Sequence, residues 1–258
     1  MKKDERSFFN SIKTGNIPRA KEYLKKGINI NTLNDDLSPK SALYYAIAYK
    51  NKEAVEFLLK EGINVNIGYP SILAQTGVHT EVKLGKCEKF ELIKLVIEKG
   101  ANVNALREDE EGRTLLGKIT DALYIDGVAY LLEKGASIQP NEEGCDSAMH
   151  IICNKIANKL LALRRKTKKS DAIKEIFNLF IHHPTLNPQY LNTNDESALD
   201  VLYGTLWKKD EINLSDLEFF TRKLILKGGD PYRECMKNVS VALIIEDNYP
   251  ELLPLLAK

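Results

Sequence analysis

Residues 96–104 read VIEKGANVN, and the same pattern occurs at four other places in the chain. An apolar and charged run is followed by a glycine and then by a short tail, usually of alternating apolar and polar residues. The other copies are YLKKGININ (23–31), LLKEGINVN (58–66), LLEKGASIQ (131–139) and ILKGGDP (225–231). Glycine ends helices well because it adopts the left-handed C-cap conformation without a Cβ clash. The pattern therefore predicts a helix that ends at each glycine.

The glycines recur at a regular spacing. Gly27, Gly62, Gly100 and Gly135 are 35, 38 and 35 residues apart. Upstream of these glycines lie short apolar segments that open with a possible N-cap residue. They begin at Ser41, Ser71, Thr114, Ser147 and Ser197. The sequence thus predicts a repeated unit of two helices, the second of which ends in glycine.

This pair of helices, closed by a tail such as Gly-Ala-Asn-Val-Asn, resembles the ankyrin repeat, which has a period of about 33 residues. The family's Thr-Pro-Leu-His opening is degenerate here, since no copy has proline in the second position and only one has the histidine, at His150. The resemblance implies an all-α, ankyrin-type α-solenoid of stacked helix-turn-helix units with short or absent β-hairpin tips.

We predict one continuous domain over residues 1–258, made of six repeats and a C-terminal cap. The repeats cover about 4–31, 32–66, 67–104, 105–139, 140–188 and 189–235, and the cap covers 236–258. Repeat five should close with a helix from Ile173 to His182 instead of a glycine. In the cap, a helix at 241–245 should be followed by a turn at 247–250 and a second, truncated helix at 251–257. A solenoid needs such a cap to cover its last apolar face.

Three repeats are longer than the others, and the extra residues fall between the two helices. They are roughly 77–89 in repeat three, the basic stretch 163–169 in repeat five and 208–213 in repeat six. Insertions in repeat proteins collect on one edge and can form a binding face. Surface loops also drift in length at little cost, so both interpretations stay open. The basic stretch is either a targeting or nucleic-acid contact or a solvated loop.

Composition excludes several classes of protein. Lys plus Arg number 37 and Asp plus Glu 36, a net charge of +1, which is unfavourable for a general nucleic-acid binder. No apolar run approaches the roughly 20 residues of a transmembrane helix. The charged start, residues 1–6, is unlike a signal peptide. We expect a monomer in the cytoplasm, or one delivered into the cytoplasm of a host cell, with its four cysteines reduced.

We predict no catalytic residue, no cofactor and no metal. His150 and Cys153 lie one helical turn apart, but a zinc site needs four ligands in paired spacing. His150 also stands where the ankyrin repeat places a structural histidine. His182 and His183, before Pro184, are typical of a helix C-terminus.

The resemblance implies a non-catalytic module that binds a protein through a concave face made of hairpin tips and first helices. Several tips are acidic, which favours a partner with a basic surface. The predicted partner-binding residues are Asp35, Asp36, Tyr69, Arg107, Glu108, Asp109, Glu110, Glu111, Glu142, Glu143, Asp195, Glu196 and Trp207. Trp207 is equally compatible with packing inside a helix.

Three functions follow as hypotheses. Degenerate, lysine-rich ankyrin proteins resemble those that intracellular bacteria and large DNA viruses deliver into host cells, so a host-directed effector is the first. The second is an inhibitor or immunity protein that blocks a partner enzyme. The third is an enzyme whose site lies in the inter-helix insertions.

Overall fold

The computed structural model describes residues 2–37, 39–67, 88–105, 114–140, 145–161, 168–204, 206, 212–235 and 239–257. These residues form α-helices, one 3-10 helix and connecting turns, and the described part contains no extended strand. Its β-structure consists of two isolated antiparallel bridges, Leu33 with Ser41 and Glu234 with Ser240. The prediction of an all-α fold with short or absent hairpin tips is confirmed.

The chain divides into two compact units, residues 1–115 and 116–258. The first unit contains α1 (Lys3–Lys13), α2 (Ile17–Lys25), α3 (Ala42–Ala48), α4 (Lys52–Lys60) and α5 (Glu88–Glu98). The helix expected after Ser71 lies outside the described residues. The prediction of one continuous domain stays a prediction.

The second unit holds the remaining helices, the first of which starts at the boundary. They are α6 (Leu115–Asp121), α7 (Ile125–Glu133), α8 (Ala148–Leu161), α9 (Lys168–His182), α10 (Ala198–Tyr203), α11 (Leu214–Leu226), α12 (Val241–Asn248) and a 3-10 helix (Pro250–Leu255). Each predicted repeat with both segments described thus contains two helices.

Local signals in the sequence set the helix ends. The side chains of Ser41 and Ser197 accept hydrogen bonds from the amides three residues on, as N-caps do. The five repeat glycines have positive φ angles, from 80° at Gly62 to 101° at Gly228. An L side chain rarely adopts this conformation, which explains why glycine recurs at this position.

First helices pack on first helices and second helices on second helices within each compact unit. In the first unit α1 contacts α3, and α2 contacts α4. The resulting core contains fully buried side chains such as Phe8, Leu43 and Leu58. In the second unit α8 contacts α10, and α10 contacts α12.

Side chains in the tails join consecutive repeats by hydrogen bonds. The Asn31 side chain accepts from the Asn64 amide at 2.8 Å, and Asn66 accepts from the Asn102 amide at 2.8 Å. In the second unit the Gln139 side chain donates to the Asn187 carbonyl at 3.3 Å. The polar positions of the repeated tail therefore satisfy backbone groups of the next repeat.

Two helix boundaries differ from the prediction. Helix α9 begins at Lys168 instead of Ile173, so it includes the end of the basic stretch. In the cap, α12 continues to Asn248, and the segment after it is a 3-10 helix. Pro254 lies inside that segment, and its missing amide and its ring disfavour a regular α-helix there.

Candidate functional site

The loop before α3, which we call the first tip loop (residues 33–41, residue 38 lying outside the described part), presents an exposed acidic end. Asp35, Asp36 and Leu37 are all exposed there, and Leu37 reaches 107% relative exposure. A large apolar side chain displayed in this way gains nothing from folding, because it stays in water. It could be buried by a partner protein.

A buried asparagine holds the first tip loop in place. Asn34 is 7% exposed, and its side-chain oxygen accepts from the Lys40 amide at 2.7 Å. Its side-chain nitrogen donates to the Asp36 carboxylate and to the Tyr45 hydroxyl, the latter at 2.7 Å. The loop is thereby fixed both to itself and to helix α3.

Two half-buried aromatic rings, Tyr44 and Tyr45 on α3, lie next to the first tip loop. Tyr45 meets Phe9 and Tyr44 edge to face, with ring centroids 5.6 and 5.3 Å apart. The Lys13 ammonium group lies 4.1 Å from the centroid of the Tyr45 ring. The Lys40 ammonium group lies 5.1 Å from the centroid of the Tyr44 ring. Burial, with a smaller contribution from the Asp36 carboxylate, raises the pKa of Tyr45. Rigid aromatic rings of this kind are favoured in protein interfaces.

The loop before α10, the second tip loop (residues 191–197), repeats this design in the second compact unit. Asn192 is 7% exposed, and its side-chain oxygen accepts from the amides of Asn194 and Glu196 at 2.9 and 3.0 Å. Its side-chain nitrogen donates to Asp146 at 3.1 Å and to the Glu196 carboxylate at 3.3 Å.

Arg233, in the segment that follows α11, holds the second tip loop and the start of α10. Its guanidinium donates to the Asp200 carboxylate at 3.0 Å and to the Asp195 carbonyl at 2.8 Å, and it lies 2.8 Å from the Asp195 carboxylate. The Asp200 carboxylate also accepts from the Ser197 amide and hydroxyl at 2.8 and 2.7 Å. The two terminal nitrogens of the guanidinium thus hold two different aspartates, and hydrogen bonds between charged groups of this kind are stronger than neutral ones.

The predicted binding residues therefore fall into three groups. Asp35 and Asp36 are exposed on the first tip loop, whereas Asp195 and Glu196 on the second are half-buried and are bonded to Arg233 and to Asn192. The others lie outside the described residues: Tyr69, Arg107, Glu108, Asp109, Glu110, Glu111, Glu142, Glu143 and Trp207. Their role in binding stays a prediction.

Leu37, Asn34 and Arg233 were not among the predicted residues. Leu37 could have been recognised as an apolar residue inside an otherwise polar tip. Asn34 and Asn192 each precede the opening serine of a repeat by a few residues, but a single sequence does not reveal that they are buried. Arg233 contacts residues more than 30 positions away, and no local pattern predicts that pairing.

His150 has a structural position, as predicted. The His150 side chain is buried, with 2% exposure. Its Nδ1 accepts a hydrogen bond from the Ser147 amide at 3.1 Å and lies 2.8 Å from the Ser147 hydroxyl. Its Nε2 lies 2.9 Å from the Glu196 carbonyl. Nδ1 therefore carries no proton, and Nε2 is the donor. Burial lowers the pKa of His150.

Cys153 and His182 are the other side chains considered as metal ligands. Cys153 is fully buried, and burial raises the pKa of its thiol, which makes it unreactive. His182, at the end of α9, makes a 2.8 Å hydrogen bond to the Asn178 carbonyl. Among the described residues, no three His, Cys, Asp or Glu side chains are arranged to hold a metal ion.

No helix in the described part of the chain is long and apolar enough to cross a membrane.

Comparisons with known proteins agree with this geometry. The ankyrin repeat family model matches residues 40–68, which contain α3, α4 and the tail after them. A search of curated proteins found no match.

Two solved structures are similar in fold. The human ASB11 ankyrin repeat domain superposes with a TM-score of 0.53 and 14% identity, covering 96% of each chain. A chain from the complex of the Bdellovibrio bacteriovorus predatory endopeptidase Bd0816 with immunity protein Bd3460 gives a TM-score of 0.52 and 18% identity, covering 85% of this chain and 97% of that one.

The family match shows an ankyrin repeat at residues 40–68, and the similar solved structures share the all-α solenoid fold of this chain. Ankyrin repeats are scaffolds for protein–protein interaction, and their fold is typically non-catalytic.

Proposed function

We propose that this protein is a non-catalytic module that binds a partner protein through its tip loops and first helices. The observation that carries the proposal is Leu37, which is fully exposed beside Asp35 and Asp36 on a loop anchored by the buried Asn34. A preorganised loop loses little conformational entropy on binding, so an anchor displayed on it contributes efficiently to affinity.

The charge of the first tip loop supports a partner with a basic surface. Asp35 and Asp36 lie side by side next to Leu37, and an apolar anchor rimmed by charge is a common arrangement in interfaces. Charge complementarity would act mainly on the association rate and on partner choice. It should weaken as salt is raised to about 0.5 M, where exposed charges are screened within a few ångströms.

The second tip loop supports the proposal in a different way. Asp195 is paired with Arg233 and Glu196 with Asn192, and both carboxylates are half-buried, whereas Asp35 and Asp36 are exposed to solvent. We therefore expect the first tip loop to supply the stronger charge contribution.

An inhibitor or immunity protein that blocks a partner enzyme is the second candidate. It is supported by the similarity of fold to a chain of a complex between an endopeptidase and an immunity protein. A host-directed effector stays a hypothesis that rests on the resemblance of the sequence alone. An enzymatic site in the inter-helix insertions has the least support, since those segments carry no catalytic motif.

A quantitative pulldown tests the proposal. The wild-type protein, Asp35→Lys and Glu53→Lys are each used as bait in lysates of the source cells and of candidate host cells. Glu53 is an exposed carboxylate in the first turn of the second helix α4, so it is the matched control. The proposal requires a prey that Asp35→Lys loses and Glu53→Lys keeps. Equal recovery with all three baits would contradict it.

The same prey separates the two candidate functions. An inhibitor or immunity protein should form a one-to-one complex with an enzyme and abolish its activity. A scaffold or effector should bind without that effect. Mass measurement of the purified complex and an activity assay of the prey distinguish these outcomes.

A further inference from the structure

A groove of about 840 Å³ lies between the second helices α7 and α9 of the second compact unit. Ala129, Leu132 and Leu179 supply apolar surface within it, and His183 and Pro184 lie at the C-terminal end of α9. Ala129 is exposed, and the two leucines are half-buried. This α7–α9 groove thus presents apolar surface to solvent inside one compact unit.

The sequence explains why the groove is open at this repeat. Ala129 stands six residues before the capping glycine of its repeat. The other glycine-closed repeats carry long charged side chains at the same position: Lys21, Glu56, Lys94 and Arg222. The short alanine side chain leaves uncovered the space that a longer one would fill.

Carboxylates surround the apolar surface. Glu133, Asp171 and Glu175 line the groove and are exposed, and they make no hydrogen bond or ion pair with any residue that the structure describes. The lysine in the lining, Lys174, is bonded to Asp216 at 2.5 Å, so its charge is already balanced. The groove therefore has a net negative rim around an apolar floor.

We propose that the α7–α9 groove binds a segment of a partner protein that presents leucine-like side chains flanked by lysine or arginine. The apolar side chains would cover Ala129, Leu132 and Leu179, which removes their surface from water. The basic side chains would pair with Glu133, Asp171 and Glu175, whose charges have no described partner in the free chain. This second surface is independent of the tip loops.

The probe for this site is a fluorescein-labelled amphipathic peptide of 14 residues built only from leucine and lysine. Its counterpart of leucine and glutamate has the same apolar face and the opposite charge. Fluorescence anisotropy with the full chain measures the affinity of each. We expect the lysine peptide to bind at least about tenfold more tightly than the glutamate peptide.

Three variants localise the binding. Ala129→Gln places a longer, uncharged side chain in the groove. Glu133→Lys/Glu175→Lys reverses the charge of two carboxylates at its rim. The control, Glu53→Lys/Glu56→Lys, reverses two exposed carboxylates on α4, which lies in the other compact unit. We expect the first two variants to bind the lysine peptide about tenfold more weakly than the wild type. The control variant should bind it with unchanged affinity. The methyl NMR signals of Leu132 and Leu179 should shift on titration with the peptide.

Several outcomes would overturn the proposal. One is an equal loss of binding in the control variant, which would indicate a general charge effect. Another is unchanged binding by Ala129→Gln together with unshifted methyl signals. A third is tighter binding by Arg164→Ala/Arg165→Ala/Lys166→Ala, which would mean that the chain's own basic run competes for the groove. Leu37→Glu should not change the affinity for the lysine peptide. A negative result for the α7–α9 groove is therefore distinguishable from failure of the tip-loop proposal.

Discussion

The side chain of Asn34 donates a 2.7 Å hydrogen bond to the hydroxyl of Tyr45, eleven residues further along the chain. This bond ties the base of the first tip loop to the helix behind it. The same asparagine accepts from the Lys40 amide, so one buried side chain sets the shape of the loop. The orientation of the exposed Leu37 therefore depends on Asn34.

Asn34→Ala should destabilise the first compact unit. It leaves the Lys40 amide without its acceptor and the Tyr45 hydroxyl with only its longer bond to Asp36, at a cost of about 1–3 kcal/mol. Urea unfolding followed by circular dichroism measures the change. Asn10→Ala, at an exposed position on α1, should change the free energy of unfolding by less than about 0.5 kcal/mol. Equal effects of the two substitutions would mean that Asn34 does not anchor the loop.

Arg233→Met should destabilise the second compact unit by about 2–4 kcal/mol. Asp200 is only 6% exposed in its side chain, and the loss of Arg233 leaves its charge without a counter-ion. Arg222→Met is the matched control, because Arg222 pairs with Glu218 at the surface and such pairs contribute about 0–1 kcal/mol. Chemical denaturation of both variants measures how much free energy of unfolding each one loses. A larger loss for Arg222→Met would contradict the structure.

Much of the fold could be predicted because its signals are local. A helix that ends at Gly62 or Gly100 is specified by neighbouring residues, and so is an N-cap such as Ser41. The contacts that shape the tips are long-range: Arg233 reaches Asp195 and Asp200 across more than 30 residues. A prediction from composition treats Asp195 as a solvated charge, whereas its surroundings in space make it half of an ion pair.

Stability should fall in acid because of His150. Burial lowers the pKa of His150 below its ordinary value of 6.5, although Asp146, Glu196 and Asp200 oppose the shift. Below about pH 6.5 the unfolded chain takes up a proton that the native ring resists, so the free energy of unfolding decreases. The contribution is fully present above the unfolded pKa and is lost as pH falls toward the lower folded value.

Urea titrations at pH 7.5, 6.5, 5.5 and 5.0 measure this dependence. The decrease should be smaller in His150→Gln, which has no titrating ring at this position. It should persist in His182→Gln, because His182 is exposed at the end of α9. Parallel pH profiles for the wild type and His150→Gln would refute the assignment.

Lys50→Gly should be more stable than Lys50→Ala by about 1 kcal/mol. Lys50 lies between α3 and α4 with φ of 57°, a conformation that costs an L side chain about 1–2 kcal/mol. Repeat one has Gly15 at the same place, also with positive φ. Both substitutions remove the 3.0 Å ion pair with Glu88, so their difference isolates the backbone conformation. Thermal unfolding of the two variants would show no difference if Lys50 were unstrained.

Site-specific photo-crosslinking tests the central claim most directly. A photoreactive phenylalanine analogue is placed at Leu37 on the first tip loop or at Leu226 at the end of α11. Both leucines are highly exposed, 107% and 77%, so neither replacement should affect folding. Each protein is irradiated with the prey identified by pulldown. We predict a covalent adduct from position 37 and none from position 226. An adduct from position 226 alone would contradict binding through the tip loops and first helices.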